Sequence, residues 1–259
     1  MSACGGGGST STPNPPPQQT PPAQNVALVK LSVDIFTNPT GQHATEVEAG
    51  TASFGSTVVS AFQVGRIFGG GAADIGFATS ADSGATWSNG FLPGTTLFAN
   101  GVYDAISDPA VAYDAKHGIW MISTLPIAGT DSVAVSRSPD GLTWGNPITV
   151  SATNNADKNW IACDNATSSP FYGNCYVQWD NPSANGLILM STSSDGGLTW
   201  GPGLNTSDFA SGIGGQPVVQ PNGTVVVPIE SWSGQNMLSG YGQHLLQTFS
   251  HLYLARPSR

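Results

Sequence analysis

The sequence predicts an all-β fold built from a repeated antiparallel unit, and three observations lead to this prediction. An octapeptide of the form S-x-D-x-G-x-T-W occurs at residues 80–87 and 193–200, and a copy one residue shorter occurs at 138–144. A short β-prone run precedes each copy. The 259 residues include 33 Gly and 19 Pro but only 9% charged residues, which is typical of many short strands joined by turns.

The three motifs carry the same turn-forming residues at fixed positions. Asp accepts hydrogen bonds from the amides that follow it and Gly tolerates positive φ, so each motif predicts a tight turn between two strands. The Trp can fold back and cover the turn with its apolar face. We therefore expect a structural role for Ser80, Asp82, Gly84, Trp87, Ser138, Asp140, Gly141, Trp144, Ser193, Asp195, Gly197 and Trp200.

The spacing of the motifs defines the units of the array. The motif aspartates lie 58 and then 55 residues apart, a period typical of a repeated supersecondary unit. Three units span about 43–98, 104–153 and 157–208, and a fourth begins near Gln216 and then loses the pattern. An apolar run over residues 25–37 predicts an edge strand or a velcro strand before the first unit.

The motif resembles the Asp box, or bacterial neuraminidase repeat, of the sialidase superfamily. That resemblance implies a sialidase-like β-propeller of four-stranded antiparallel blades, with each box between the third and fourth strands, away from the active site. Sialidase propellers have six blades, so residues 26–243 account for about three to four of six. Residues 244–259 change in character, and we expect a truncated or frameshifted end; alternatively, a partner chain supplies the missing blades.

The resemblance also implies candidate site residues. Arg66 matches the arginine that borders the substrate pocket, and Asp74 matches the acid/base aspartate. Glu230 is the candidate partner in the chemistry of a tyrosine nucleophile. The first arginine of the carboxylate-binding triad would fall near residues 46–48 and is missing. The chain has four arginines in all, and Arg137 lies beside a motif, so a converging triad is not predicted.

Two classes of function follow from this reasoning. The first is an exo-sialidase-type or other glycoside hydrolase that acts on extracellular glycans. The second is a non-catalytic propeller that binds glycans or proteins, or an inactive fragment of one. Exposed aromatic side chains would matter most for a glycan-binding module, because sugar rings stack on aromatic faces; the candidates are Trp120, Trp160, Trp179 and Trp232.

Other polar residues leave alternatives open. Asp104 and Asp108 either face the channel, where they could bind a cation such as calcium, or cap turns. The polar run from Asp157 to Trp160 is either a functional cluster or a salt-bridged loop. The histidines lack metal-ligand spacing, and neither a phosphate loop nor a G-x-S-x-G motif occurs, so no metal site and no cofactor are predicted.

Cysteine usage predicts an exported protein. Cys163 and Cys175 flank a loop between two β-prone runs, which predicts a cross-strand disulfide; a zinc site is the alternative. Residues 1–25 are rich in Gly, Ser and Pro and predict a disordered tether. Cys4 resembles the cysteine of a bacterial lipobox, and otherwise it is an ordinary thiol.

These features predict a cell-envelope lipoprotein or a secreted bacterial protein, with a lipid on Cys4 as the one membrane attachment. A glycan or glycoconjugate is the expected partner. The net charge of −9 excludes a nucleic-acid partner, because seven basic residues cannot form a patch that neutralises phosphates. The sequence does not define an oligomeric state.

Overall fold

Antiparallel β-strands make up almost all of the regular secondary structure in the computed structural model of this chain. The structure describes residues 28–128, 132–152, 155–206 and 209–231. The chain divides into two units, 1–30 and 31–259, and the strands of the described residues lie in the second. Two short 3-10 helices interrupt the strands, at Leu97–Ala99 and Pro182–Ala184. Among the described residues, no helix is long and apolar enough to cross a membrane.

Three four-stranded blades follow one another along the chain, and in each blade consecutive strands pair antiparallel. The first blade contains β1 (Glu46–Phe54), β2 (Thr57–Arg66), β3 (Ala72–Ser80) and β4 (Ser88–Phe91). The second contains β5 (Ala105–Asp114), β6 (Ile119–Ile127), β7 (Val133–Ser138) and β8 (Ile148–Ser151). The third contains β9 (Asp157–Cys163), β10 (Cys175–Asn181), β11 (Leu187–Ser193) and β12 (Leu204–Asn205).

A fourth unit begins in the last described segment. Its strands are β13 (Gly212–Ile213), β14 (Val218–Val219), β15 (Val225–Val226) and β16 (Glu230–Ser231). β14 pairs with β15, and β13 pairs with β16. The predicted fold class is confirmed: the chain is an all-β, antiparallel and incomplete β-propeller, with three blades and the start of another among the described residues.

The core lies between the blades, because each blade buries both faces of its middle strands. All nine residues of β3 are buried, so the strand carries small or apolar side chains, with Asp74 as the charged exception, rather than an alternating pattern. Between the first two blades, Ile75 and Phe77 pack in one cluster with Trp120. Between the second and third blades, Met121 packs in another with Trp179.

The three S-x-D-x-G-x-T-W motifs form turns between the third and fourth strands of each blade, as the resemblance implies. At the second turn, the Asp140 carboxylate accepts hydrogen bonds from the Thr143 amide at 2.6 Å and the Leu142 amide at 2.8 Å. The Thr143 amide bond lowers the pKa of Asp140 to about 2. The Trp144 indole N–H donates to the Gly141 carbonyl at 3.1 Å, so the ring does fold back over the turn.

Each of the second and third turns also contacts the blade before it. The Thr79 hydroxyl on β3 donates to the Gly141 carbonyl at 2.6 Å. The Arg137 guanidinium on β7 donates to the Gly196 carbonyl at 2.5 Å, which places Arg137 at the turns rather than in the channel. The turns therefore connect neighbouring blades as well as neighbouring strands.

The predicted edge strand over residues 25–37 is wrong for its described part. Residues 28–38 form no strand, because a local side-chain bond replaces ladder pairing: the Asp34 carboxylate accepts from the Phe36 amide at 2.9 Å. Leu31 and Phe36 nevertheless pack against a small apolar cluster of the first blade, around Phe62 and Val64. These two residues, Leu31 and Phe36, cover the blade, whereas Leu28, Val29, Val33 and Ile35 of the same run are exposed.

Candidate functional site

A β-bulge lies at the same position of the first strand in all three blades. In β1 the pairing register shifts between Val47 and Gly50, which leaves two residues opposite one residue of β2. The same two-to-one shift occurs in β5 opposite β6 and in β9 opposite β10. The bulged pairs are Glu48 with Ala49, Asp108 with Pro109, and Lys158 with Asn159.

The first residue of each bulge has a left-handed backbone. The φ angle is 55° at Glu48, 47° at Asp108 and 47° at Lys158. A non-glycine residue in this region costs of order 1–3 kcal/mol, and such positions cluster at functional sites. Bulges also change the direction in which a side chain points. Three strained bulges at equivalent positions therefore mark this end of the blades as a candidate site.

The bulges line one cavity of about 310 Å³. Its walls come from four successive segments: Glu48 and Ala49 of β1, Asp108 and Pro109 of β5, Lys158 to Trp160 of β9, and Gly214 to Gln216 just before β14. Every lining residue thus comes from the first strand of a blade or from the segment between β13 and β14 of the fourth unit. The cavity exists because the repeat brings equivalent positions together.

A hydrogen-bonded chain of polar side chains connects the three bulges. The Lys158 ammonium lies 3.3 Å from the Asp108 carboxylate. The Ser107 hydroxyl donates to the other Asp108 oxygen at 2.6 Å. The Gln63 amide donates to that Ser107 hydroxyl at 3.1 Å and also to the Glu48 carboxylate. The charged groups of the cavity are therefore held in defined positions by neighbouring strands.

The environment shifts the pKa values of the bulge residues. Partial burial and then the neighbouring Asp108 charge raise the pKa of Glu48, while Lys158 and Arg66 oppose this shift. Burial lowers the pKa of Lys158, but the charge and hydrogen bond of Asp108, together with the charges of Asp157 and Glu48, outweigh it, so its pKa is raised. Lys158 therefore remains a cation near neutral pH, and Glu48 holds its proton to a higher pH than an exposed glutamate.

A third carboxyl group lies behind the Gly214 wall. Asp180 on β10 is fully buried, and one of its oxygens accepts a hydrogen bond from the Gly214 amide at 3.4 Å. Its other oxygen has no hydrogen-bond partner among the described residues. Burial, together with the Asp157 charge on the neighbouring strand, raises the pKa of Asp180 to about 7. This group adds acidic character to the same side of the cavity.

The three residues implied by the sialidase resemblance lie outside the cavity lining. Arg66 ends β2, and its guanidinium donates to the Gly71 carbonyl at 2.7 Å, although its charge still acts on Glu48. Asp74 is fully buried on β3, where the Thr95 hydroxyl donates to it at 2.6 Å. Burial raises the pKa of Asp74 to about 7. Glu230 is exposed on β16. Their catalytic roles stay predictions.

Two of the open alternatives have structural outcomes. Asp108 lines the cavity and forms an ion pair with Lys158, so a residue of the acidic pair and a residue of the 157–160 run meet there. Within the described part of the chain, no group of three His, Cys, Asp or Glu residues is placed to hold a metal ion.

The structure also places most of the candidate aromatic and cysteine residues. Trp160 is half-buried and lines the cavity. Trp120 and Trp179 are buried in the core, so neither can stack on a ligand. Cys163 and Cys175 pair across β9 and β10 and form a disulfide, which leaves no thiolates for zinc. Trp232, Cys4, the 1–25 tether and the 244–259 tail lie outside the described residues.

Sequence reasoning missed Glu48 as a site residue, although a signal was present. Glu48 lies 34 residues before Asp82, Asp108 lies 32 before Asp140, and Lys158 lies 37 before Asp195. The similar offsets indicate one structural position for the three residues, and the pairing registers of the strands establish it. Because their side chains differ, a search for repeated residues does not find them.

Solved structures with a similar fold include carbohydrate-active proteins at low sequence identity. One is the "Hadza microbial sialidase Hz136", with a TM-score of 0.53 and 17% identity over 71% of this chain and 42% of that one. Another is a protein of unknown function from Dyadobacter fermentans, with a TM-score of 0.55 and 15% identity over 74% of this chain and 58% of that one. The chain therefore spans less than two thirds of the length of either.

At these identities the likeness shows the fold: a β-propeller of the kind also found in glycosidases. No protein-family profile matches the chain, and no curated protein does.

Proposed function

We propose that the bulge cavity binds a glycan, and that glycan recognition is the function of this propeller. The observation that carries the proposal is the cavity's composition. Glu48, Asp108 and Lys158 present hydrogen-bonding groups from three blades, and Trp160 lies beside them. Ligand sites combine an aromatic wall with a few fixed polar groups. A sugar ring offers its apolar face to the aromatic wall and its hydroxyls to the polar groups.

The fixed positions of these groups support recognition rather than a merely solvated surface. Ser107, the residue before Asp108 on β5, holds the Asp108 carboxylate, and Gln63 on the neighbouring strand β2 holds the Glu48 carboxylate. Preorganised partners reduce the entropy lost when a ligand binds. The fold is also one that a sialidase shares, and that likeness supports a carbohydrate ligand without defining which one.

A glycan array probed with the purified full chain tests this proposal. We expect binding to a limited set of oligosaccharides, followed by calorimetric titration of the best of them. Trp160→Ala should weaken that binding. Trp87→Ala, which removes the same kind of side chain from a motif turn outside the cavity lining, should not. Absence of binding to any glycan, by protein whose near-UV circular dichroism shows a folded core, would contradict the proposal.

Hydrolysis is the second candidate function, and the difference between the two cavity carboxyls favours it. Glu48 keeps its proton to higher pH, whereas Asp108 is paired with the Lys158 ammonium. Glycosidases commonly use one carboxyl group to protonate the leaving oxygen and a second as nucleophile or base. We assign the first role to Glu48 and the second to Asp108.

A panel of fluorogenic glycosides, including a sialoside, tests the hydrolytic candidate. Glu48→Gln and Asp108→Asn should each lower kcat/KM by about a hundredfold or more. Asp74→Asn and Arg66→Ala test the assignment that the sialidase resemblance implies. Loss of turnover in these two variants but not in the cavity variants would move the active site away from the bulges.

We also propose that the protein works in an oxidising, extracytoplasmic compartment. The Cys163–Cys175 disulfide supports this, because disulfides persist mainly in exported proteins. Thiol titration of protein isolated from cell-envelope and culture fractions should find one free cysteine or none. Two newly titrating thiols in natively isolated protein would contradict it.

A further inference from the structure

The cavity offers little positive charge to a ligand. Of the five Lys and Arg residues in the described part of the chain, only Lys158 lines it. The Arg66 guanidinium donates to the Gly71 carbonyl, and the Arg137 guanidinium donates to Gly196 at the turns. A direct ion pair between an anionic ligand and the lining would therefore depend on Lys158, because Arg66, whose charge acts on Glu48, lies outside the lining.

The charge of Lys158 is already compensated within the protein. Its ammonium lies 3.3 Å from the Asp108 carboxylate, and the negative charges of Asp157 and Glu48 also act on it. An ammonium held by a carboxylate gains little from a second carboxylate, because the ligand would have to compete with Asp108 at short range.

The other charged residues of the cavity wall are acidic. Glu48 and Asp108 both line it. Behind Gly214, the buried Asp180 has an oxygen with no hydrogen-bond partner among the described residues. A carboxylate on a ligand would thus approach at least two carboxyl groups with no free cation in the lining, and like charges brought together oppose binding strongly.

We infer that the cavity selects uncharged glycans and excludes sugars that carry a carboxylate, such as sialic and uronic acids. The inference rests on the proposed function, since it names the class of glycan taken by the same cavity. Neutral hydroxyls suit the lining well, because each carboxylate can accept a hydrogen bond from a hydroxyl and the ammonium can donate one. Asp108 is then the residue that sets the selectivity.

Matched ligand pairs test the inference directly. The full chain is screened against neutral oligosaccharides of glucose, galactose and mannose, each beside its uronic-acid counterpart, together with a set of sialosides. The best neutral ligand and its uronate are then titrated by calorimetry. We expect the neutral ligand to bind at least about tenfold more tightly.

Two variants test the preference for the neutral ligand: one should reduce it and the other should preserve it. Asp108→Asn removes a carboxylate and releases the Lys158 ammonium, so the affinity for the uronate should rise by about tenfold. Lys158→Met leaves no lining cation, so the preference for the neutral ligand should persist or grow. Near-UV circular dichroism confirms that each variant is folded, and Lys158→Met keeps the inference testable should Asp108→Asn not fold.

The outcomes separate this inference from the proposed function. Wild-type binding of the uronate or a sialoside at least as tight as that of the neutral ligand would overturn the inference and leave glycan recognition standing. A folded Asp108→Asn variant that gains no affinity for the uronate would also overturn it. If no glycan binds, glycan recognition is itself wrong and the inference falls with it.

Discussion

The two ends of each blade differ in what repeats. At one end, the motif turns repeat in both backbone and side chain: Asp140 and its two counterparts accept amide and hydroxyl hydrogen bonds in nearly the same way. At the other end, the bulges repeat in backbone only. Their left-handed first residues are Glu48, Asp108 and Lys158, which differ in length or in charge.

The pKa values follow the same division. Hydrogen bonds lower the pKa of the turn residue Asp140 to about 2. Partial burial and a neighbouring like charge raise the pKa of Glu48 at a bulge. A carboxyl group whose charged form is stabilised by turn hydrogen bonds supports the fold, whereas a carboxyl group whose ionisation is opposed in a cavity is typical of a functional site. A repeated backbone with unlike side chains is therefore where function is to be sought in this propeller.

The largest expected effect is on the pH dependence of the free energy of unfolding, which distinguishes the buried carboxyl group of Asp74 from the turn carboxyl group of Asp140. Asp74 has a pKa raised by burial from 3.8 to about 7. The folded state therefore binds a proton that the unfolded chain has lost, and stability falls as the pH rises from about 4 to about 7. Asp74→Asn should reduce this slope by up to about 1.4 kcal/mol per pH unit, measured by urea unfolding at several pH values.

Asp140→Asn is the matched control for the pH experiment. Its pKa in the folded state lies below the ordinary value, so its contribution is present above about pH 4 and is lost as the pH falls towards about 2. The variant should flatten the acid limb only. An unchanged slope between pH 4 and 7 in Asp74→Asn would contradict the account of Asp74.

A glycine substitution tests whether the turns connect the blades. Gly141 has φ 73°, and an added Cβ would lie 2.9 Å from the Val59 side chain of the preceding blade. Gly141→Ala should lower the free energy of unfolding by about 1–3 kcal/mol. At Gly55, φ is 59° but no atom lies within 4 Å of an added Cβ, so Gly55→Ala should cost less. Equal losses of unfolding free energy in the two variants would contradict a stabilising contact between the second turn and the first blade.

Two tryptophans, one at the cavity and one at a turn, extend the comparison to glycan binding. Trp160 lines the cavity and Trp87 covers a turn, where its indole donates to the Gly84 carbonyl at 3.0 Å. Trp160→Ala should weaken glycan binding by about tenfold, because it removes the aromatic wall. Trp87→Ala should lower stability and leave the dissociation constant unchanged. Similar binding losses in both would indicate a general loosening of the fold.

The sequence predicts the turns and blades well because their signal is local. Asp, Gly and Trp at fixed spacing specify a turn whatever lies around it, and the β-prone runs beside them predict the strands. The same holds for Cys163 and Cys175, whose short spacing allows a cross-strand pair. The prediction of an edge strand over residues 25–37 was wrong for its described part, because an apolar run does not show whether its residues pair in a sheet or pack on a blade.

The site was harder to predict because its residues meet only through the tertiary fold. Asp108 and Lys158 drew attention as polar residues at strand starts, but the ion pair between them depends on how two blades pack. Glu48 stood where the resemblance implies an arginine, so its own chemistry was overlooked. Asp74 and Arg66 were chosen by motif position, and the resemblance could not convey that Asp74 is fully buried.

The measurement that tests the central claim most directly compares Asp108→Asn with Asp140→Asn, one aspartate from each end of the second blade. Unfolding in urea and calorimetric titration with the best neutral glycan are run on both. Asp140→Asn should lower the free energy of unfolding by about 1 kcal/mol and leave binding unchanged. Asp108→Asn should weaken binding of the neutral glycan by about tenfold with a stability change of at most about 1 kcal/mol. The opposite pattern, with binding lost at the turn or kept at the bulge, would contradict the division of the blade into a stabilising and a ligand-binding end.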